Sequence, residues 1–188
     1  EQVASTDSFS FFATRFGMFE LNRLSGKWRH YHHQKGNPNS PASNKVRVVC
    51  CDPRAPNRFV WLGTDGSGLC RLDRYTQQWK RITTEDGLPS NVIYGILSDD
   101  AGNLWLSTTR GLCAYATNGG FVRRFSSYDG LRNDEFNSGQ YLGLPDGRLV
   151  FGGVNGQTLF LPDEALQNQL PPGKTIVTGI SLGGKMLS

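Results

Sequence analysis

The chain has 188 residues, with 20 Lys and Arg against 16 Asp and Glu; the net charge of +4 is spread along its length and forms no basic stripe for nucleic acid. A hydrophobic content of 37% with 23 glycines describes a folded chain that turns often rather than a disordered one. No apolar run reaches the roughly 18 residues that span a bilayer, and the four cysteines form neither a zinc spacing nor a disulfide framework.

In chain order, the sequence repeats itself. FFATRFGMFELN (11–22) is a first copy, and residues 8–31 read as three short strands lacking the first of a set of four. The Pro/Asn/Ser-rich stretch 34–44 is a loop insertion. VWLGTDGSGLCRLD (60–73) is the second copy, inside a full unit over 46–83, and LWLSTTRGLCAY (104–115) is the third, inside a full unit over 92–126. Trp61 and Trp105 stand 44 residues apart, and EDGLPSNV (85–92) returns in step as YDGLRNDEF (128–136). The fourth copy, LVFGGVNGQTLF (149–160), belongs to a partial three-stranded unit over 137–161. In the third unit the strands are expected at 92–98, 104–108, 111–116 and 121–126, separated by Gly and Asp/Asn turns. Four-stranded units of about 44 residues with apolar central strands describe β-propeller blades. The fold class is therefore all-β, an arc of blades from a larger propeller, since an open arc exposes an apolar face at each end. Residues 162–174, with Pro162 and Pro171-Pro172, read as a linker, and 175–188 as the start of a second, β-sandwich-like module.

The strand ending Ser98–Gly102, the apolar-Trp-apolar strand Leu104–Thr108, Gly111-Leu112 and the Asp129-Gly130-Leu131 loop together resemble the two-component regulator propeller family. GLRNDEFNSG (130–139) followed by LVFGGVNG (149–156) is similar to the closing blade of that family, and the Pro-Pro tail to the start of the immunoglobulin-like module that follows it. The resemblance implies a periplasmic sensor region of an inner-membrane bacterial signalling protein, with a kinase or cyclase output elsewhere. It further implies a glycan or other small polar ligand, no cofactor, and no catalysis by these residues.

Several motifs have a plainer reading beside the functional one. Ser98–Trp105 matches the Asp-box of sialidase propellers, which physically is a hairpin turn capped by an Asp with a Trp packed beneath. His30 and His32 share a strand face, two potential metal ligands without a third, so no metal is expected. Lys80-Arg81 and Arg123-Arg124 recur on outer strands, where charges discourage edge pairing. A glycoside-active or lyase-type propeller enzyme and a protein-interaction scaffold are the alternatives to a sensor.

In a meander blade, the turns joining second to third strands and the loops joining one blade to the next emerge on the same face. The inter-blade loops are the longer ones and richer in hydrogen-bonding side chains, so the ligand is expected there. The candidates are Arg110, Arg132, Asn133, Asp134, Glu135 and Asn155. Expected partners are that ligand, the remaining blades of the same protein and a second copy, with the membrane reached only through segments outside these residues.

Overall fold

A computed structural model describes residues 2–167, 180–182 and 185–187. The first blade is β1 (Gln2–Ser5), β2 (Phe9–Thr14), β3 (Gly17–Asn22) and β4 (Trp28–Tyr31). The second is β5 (Val46–Cys51), β6 (Phe59–Thr64), β7 (Leu69–Asp73) and β8 (Gln78–Ile82), and the third β9 (Ile93–Ser98), β10 (Asn103–Thr108), β11 (Gly111–Ala116) and β12 (Gly120–Phe125). The fourth blade has three strands, β13 (Phe136–Gly143), β14 (Leu149–Gly153) and β15 (Gly156–Phe160). Each is an antiparallel meander in chain order, and the four sheets are arranged as a β-propeller. The first strands β1, β5, β9 and β13 succeed one another along the inside of the arc.

The first blade departs from expectation. It is a complete four-stranded sheet, because Gln2–Ser5 pairs antiparallel with β2, from Gln2 opposite Ala13 to Ser5 opposite Ser10. Four residues without apolar alternation carry little strand signal of their own; the neighbouring edge makes them a strand. Beyond the blades, the residues read as linker begin with the helix α1 (Pro162–Gln167), and 168–179 lie outside the described residues. Of the residues read as the start of a second module, β16 (Ile180–Leu182) and β17 (Lys185–Leu187) pair antiparallel, and the rest lie outside the described residues.

Strand alternation gives each blade two faces, and the register shows what each meets. On the face toward the next blade lie Phe11 and Glu20 in the first blade, Trp61 in the second and Trp105 in the third. On the face toward the preceding blade lie the rows Val49–Leu62–Cys70 and Ile96–Leu106–Cys113. Every core cluster joins consecutive blades: Phe11, Met18 and Tyr31 with Val49, Leu62 and Cys70; Trp61 and Leu69 with Ile93, Leu106 and Cys113; Trp105 and Phe125 with Phe136 and Phe151. Cys70 and Cys113 are thus small core residues in matching places, and burial pushes their thiols up to about 11 and about 12. A buried ion pair reinforces the first junction. The Arg74 guanidinium donates to both Glu20 oxygens at 3.2 and 2.8 Å, and Tyr31 Oη donates to Glu20 at 3.0 Å.

The two ends of the arc carry the same kinds of rows uncovered. Val3–Phe12–Phe19–His30 crosses the outer face of the first blade, with Val3 53% exposed and the adjacent Trp28 60% exposed. Leu142–Val150–Leu159 crosses the outer face of the fourth, with Leu142 59% exposed. His30 belongs to this surface: its ring stacks on Phe19 with centroids 4.1 Å apart, and Nε2 donates to the Phe16 carbonyl.

The central strands should carry the stability. Trp105 is fully buried and its indole N–H donates to Asp99 at 2.8 Å, so Trp105→Ala should cost about 3–5 kcal/mol in denaturant melts. Arg110→Ala, at an exposed turn, should cost under about 0.5 kcal/mol, and equal losses would contradict the blade assignment.

Candidate functional site

The face that collects the inter-blade loops is built by one repeated set of bonds. At the end of the second strand of three blades stands a Thr whose hydroxyl closes the next turn: Thr14 to the Gly17 carbonyl at 2.9 Å, Thr64 to Gly68 at 2.7 Å, Thr108 to Gly111 at 2.8 Å. These glycines have φ of 112°, 79° and 91°, and a Cβ on any of them would collide with the carbonyl of the neighbouring outer strand. Each glycine N–H then donates to a carbonyl of the inter-blade loop: Gly17 to Asn44 at 2.7 Å, Gly68 to Asn91 at 2.8 Å, Gly111 to Asp134 at 2.6 Å.

The same three loop residues use their side chains too. Asn44 Oδ1 accepts from the His33 N–H at 2.7 Å, Asn91 Oδ1 from the Thr84 N–H at 2.9 Å, and the Asp134 carboxylate from the N–H and hydroxyl of Ser127. One Asn or Asp per junction therefore ties the start of its loop, through the side chain, to the turn beside it, through the backbone. The Asp-Gly-Leu motif is the other half of two of these loops. Asp86 and Asp129 accept from the N–H of Thr83 and Ser126 at 2.9 Å, and Gly87 and Gly130 close the turn with φ of 109° and 93°.

The sequence candidates lie together on this face, in two roles. Asn133 and Asp134 hold the loop: Asn133 Nδ2 donates to the Glu135 carbonyl at 2.8 Å and its Oδ1 accepts from the Glu135 N–H at 2.9 Å, while Asp134 is bonded to Ser127. Arg110, Arg132, Glu135 and Asn155 are exposed. Arg132 reaches across to the turn of the fourth blade, its Nη1 3.6 Å from where a Cβ on Gly156 would stand, and the Val154 N–H donates to the Glu135 carbonyl at 3.2 Å. Arg123 and Arg124 act inward from the outer strand: Arg124 Nε donates to the Gly87 carbonyl at 2.7 Å, and Arg123 to Asp129 and to the Ala165 carbonyl of α1.

The opposite face is occupied by structural turns. Asp99 accepts from the Asn103 N–H at 2.7 Å and from the indole of Trp105, with Gly102 at φ 81°, as expected of an Asp-box hairpin. Asp52 does the same for Trp61 at 2.7 Å, a counterpart hidden in the sequence because three more residues separate it from its tryptophan. Sequence reasoning also missed a cavity of about 480 Å³ on the loop face, lined by Thr14, Arg15, Phe16, Lys45, Arg47, Asp65 and Ser138. The residues come from three blades and from positions up to 124 apart, so no local motif announces it. Among the described residues no group of three His, Cys, Asp or Glu gathers as a metal site would require.

Residues 87–110, spanning the third blade's entry loop and its first two strands, match the family described as two component regulator propeller. Over that segment the chain is similar to the two-component regulator propeller repeat. It is 32% identical over 87 residues to histidine kinase P4 of Formosa agariphila, covering 46% of this chain and 6% of that protein. Its fold is similar to the extracellular domain of a protein described as the hybrid two component system BT3049 of B. thetaiotaomicron, with a TM-score of 0.70 and 21% identity over 87% of this chain and 23% of the other. The extracellular domain of BT4673 is similar at a TM-score of 0.70 and 16% identity, over 86% of this chain and 22% of that one. The propeller region thus spans under a quarter of each. Among the described residues no helix is long and apolar enough to cross a membrane.

The loop-tying role is separable from exposure. Asp134→Ala should lose about 1–2 kcal/mol of stability and speed amide exchange at Ser127 and Gly111, whereas Glu135→Ala should stay within about 0.5 kcal/mol. The reverse order in urea melts and exchange would show that Asp134 does not hold the loop.

Proposed function

We propose that this chain is the ligand-sensing propeller region of a two-component-type signalling protein, periplasmic and anchored in the inner membrane through other segments. It recognises a glycan or another small polar ligand on the inter-blade loop face and does not itself catalyse a reaction. The observation that carries this reading is the asymmetry of the two faces. On one, the inter-blade loops are fixed by the Asn44, Asn91 and Asp134 ties, Arg110, Arg132, Glu135 and Asn155 are exposed, and a polar cavity opens between Arg15, Lys45 and Asp65. On the other, the side chains of Asp52 and Asp99 serve the buried tryptophans. A rigid concave surface with outward hydrogen-bonding groups suits a polyhydroxylated ligand. The family match and the histidine kinase relative support a signalling role, and the output domain belongs to chain beyond these residues.

A non-catalytic role is supported by how two carboxylates of this face are used. Glycoside hydrolysis needs two carboxyl groups facing across a sugar. Asp86 and Asp134 are instead turned into their own loops toward Thr83 and Ser127. The uncovered end rows support further blades, or a second copy, as protein partners.

Calorimetry on the complete extracytoplasmic region, with an oligosaccharide that it retains, tests the placement. Arg132→Ala and Arg110→Ala should weaken binding about tenfold, while Arg148→Ala, on the opposite face, leaves it within about twofold. Loss confined to Arg148→Ala would place the site on the other face, and turnover of the oligosaccharide would favour the enzyme reading.

A further inference from the structure

The cavity at the inner mouth of the loop face has a charge that the repeat does not require. Arg15 and Lys45 are exposed at its rim and Arg47 forms its inner wall, against one acid, Asp65. The equivalent positions in the next two junctions follow from the register. Val46 lies opposite Thr64 as Ile93 lies opposite Thr108, so Lys45 corresponds to Val92 and Arg47 to Tyr94. In the fourth blade the counterparts are Glu135 and Asn137, since Phe136 opens the inner strand opposite Gly153. Blades fold with an apolar, aromatic, amide or acidic residue at these places, so the basic set is a property of this one junction.

Its geometry is that of a held cation. Arg47 bonds Asp65 at 3.1 Å and lies over the Tyr94 ring, its guanidinium carbon 5.2 Å from the centroid. The pair is about one-third exposed on each side, open to the cavity. Arg47 Nε is buried and makes no hydrogen bond among the described residues. Asp65 neutralises one charge of three, leaving an excess of positive charge around about 480 Å³, within the size range of small-molecule sites. Phe16, 76% exposed on the rim, offers an apolar ring face, and the hydroxyls of Thr14 and Ser138 complete the lining.

We infer that this cavity is the anchoring subsite for an oxyanion-bearing sugar, its uronate carboxylate or sulfate ester held by Arg47, Arg15 and Lys45 and its ring laid against Phe16. A planar guanidinium already oriented by Asp65 and Tyr94 matches the two oxygens of such a group. This inference rests on the sensor reading above and names the ligand's chemistry.

The full-length protein is tested against neutral, uronate-containing and sulfated short oligosaccharides, and retained members are titrated at low and high salt. Retained members should carry an oxyanion, and their affinity should fall with salt. Arg15→Gln and Lys45→Gln, both at exposed positions, should each weaken them about tenfold, as should Arg47→Gln, with unfolding temperature recorded to separate misfolding from lost contact. Preference for uronates or for sulfated members identifies which oxyanion is taken. Retention of neutral members alone, or retention of acidic ones unaffected by Arg15→Gln and Lys45→Gln, overturns this inference and leaves the sensor reading standing. Retention of no member overturns both.

Discussion

No blade of this protein has a core of its own. Each sheet is one layer thick, and the side chains that would form its interior are divided between two neighbours: Trp61 packs beneath Tyr115 of the next blade, and Trp105 beneath Phe160 of the one after. Burying apolar area contributes about 25 cal/mol per Å², and here that area is buried only where one blade lies against another. Stability is therefore a nearest-neighbour property, as in other repeat architectures. The Glu20–Arg74 pair follows the same rule, because a buried carboxylate on the first blade is tolerable only with the guanidinium of the second beside it.

The functional surface inherits this arrangement. Consecutive blades fix the ends of each connecting loop, and the Asn44, Asn91 and Asp134 ties then convert a long loop into a rigid one. A rigid loop can present exposed side chains at reproducible positions, so sequence variation at Arg15, Lys45, Arg47 or Arg132 alters the surface without altering the scaffold. The ties recur from junction to junction and the exposed side chains do not, which is how a repeat with a fixed frame acquires one junction with its own charge.

The blades were legible in the sequence because a period near 44 residues places Trp, Thr, Gly and Asp at fixed offsets, and those residues do recurrent physical work. Trp61 and Trp105 fill the junctions, Thr64 and Thr108 close turns, and Gly68 and Gly111 clear a carbonyl. Gln2–Ser5 escaped notice because its strand character comes from its partner rather than its own residues. The candidate site was legible as a face but not as roles. Asp134 and Arg132 are both polar loop residues in sequence, and only the bond to Ser127 separates the one that holds the loop from the one that is exposed. The basic cavity was illegible because its residues converge from the first, second and fourth blades; the available signal was charge at Lys45 and Arg47 where sibling repeats carry Val92 and Tyr94 or Glu135 and Asn137.

If blades are completed by their neighbours, the rows Val3–Phe12–Phe19 and Leu142–Val150–Leu159 are unsatisfied interfaces, and sedimentation velocity of the isolated chain tests this directly. The account predicts association that grows with concentration and is suppressed when Phe12, Trp28, Leu142 and Leu159 are replaced by Ser. A compact monomer of the unmodified chain, unfolding cooperatively and indifferent to those replacements, would contradict it.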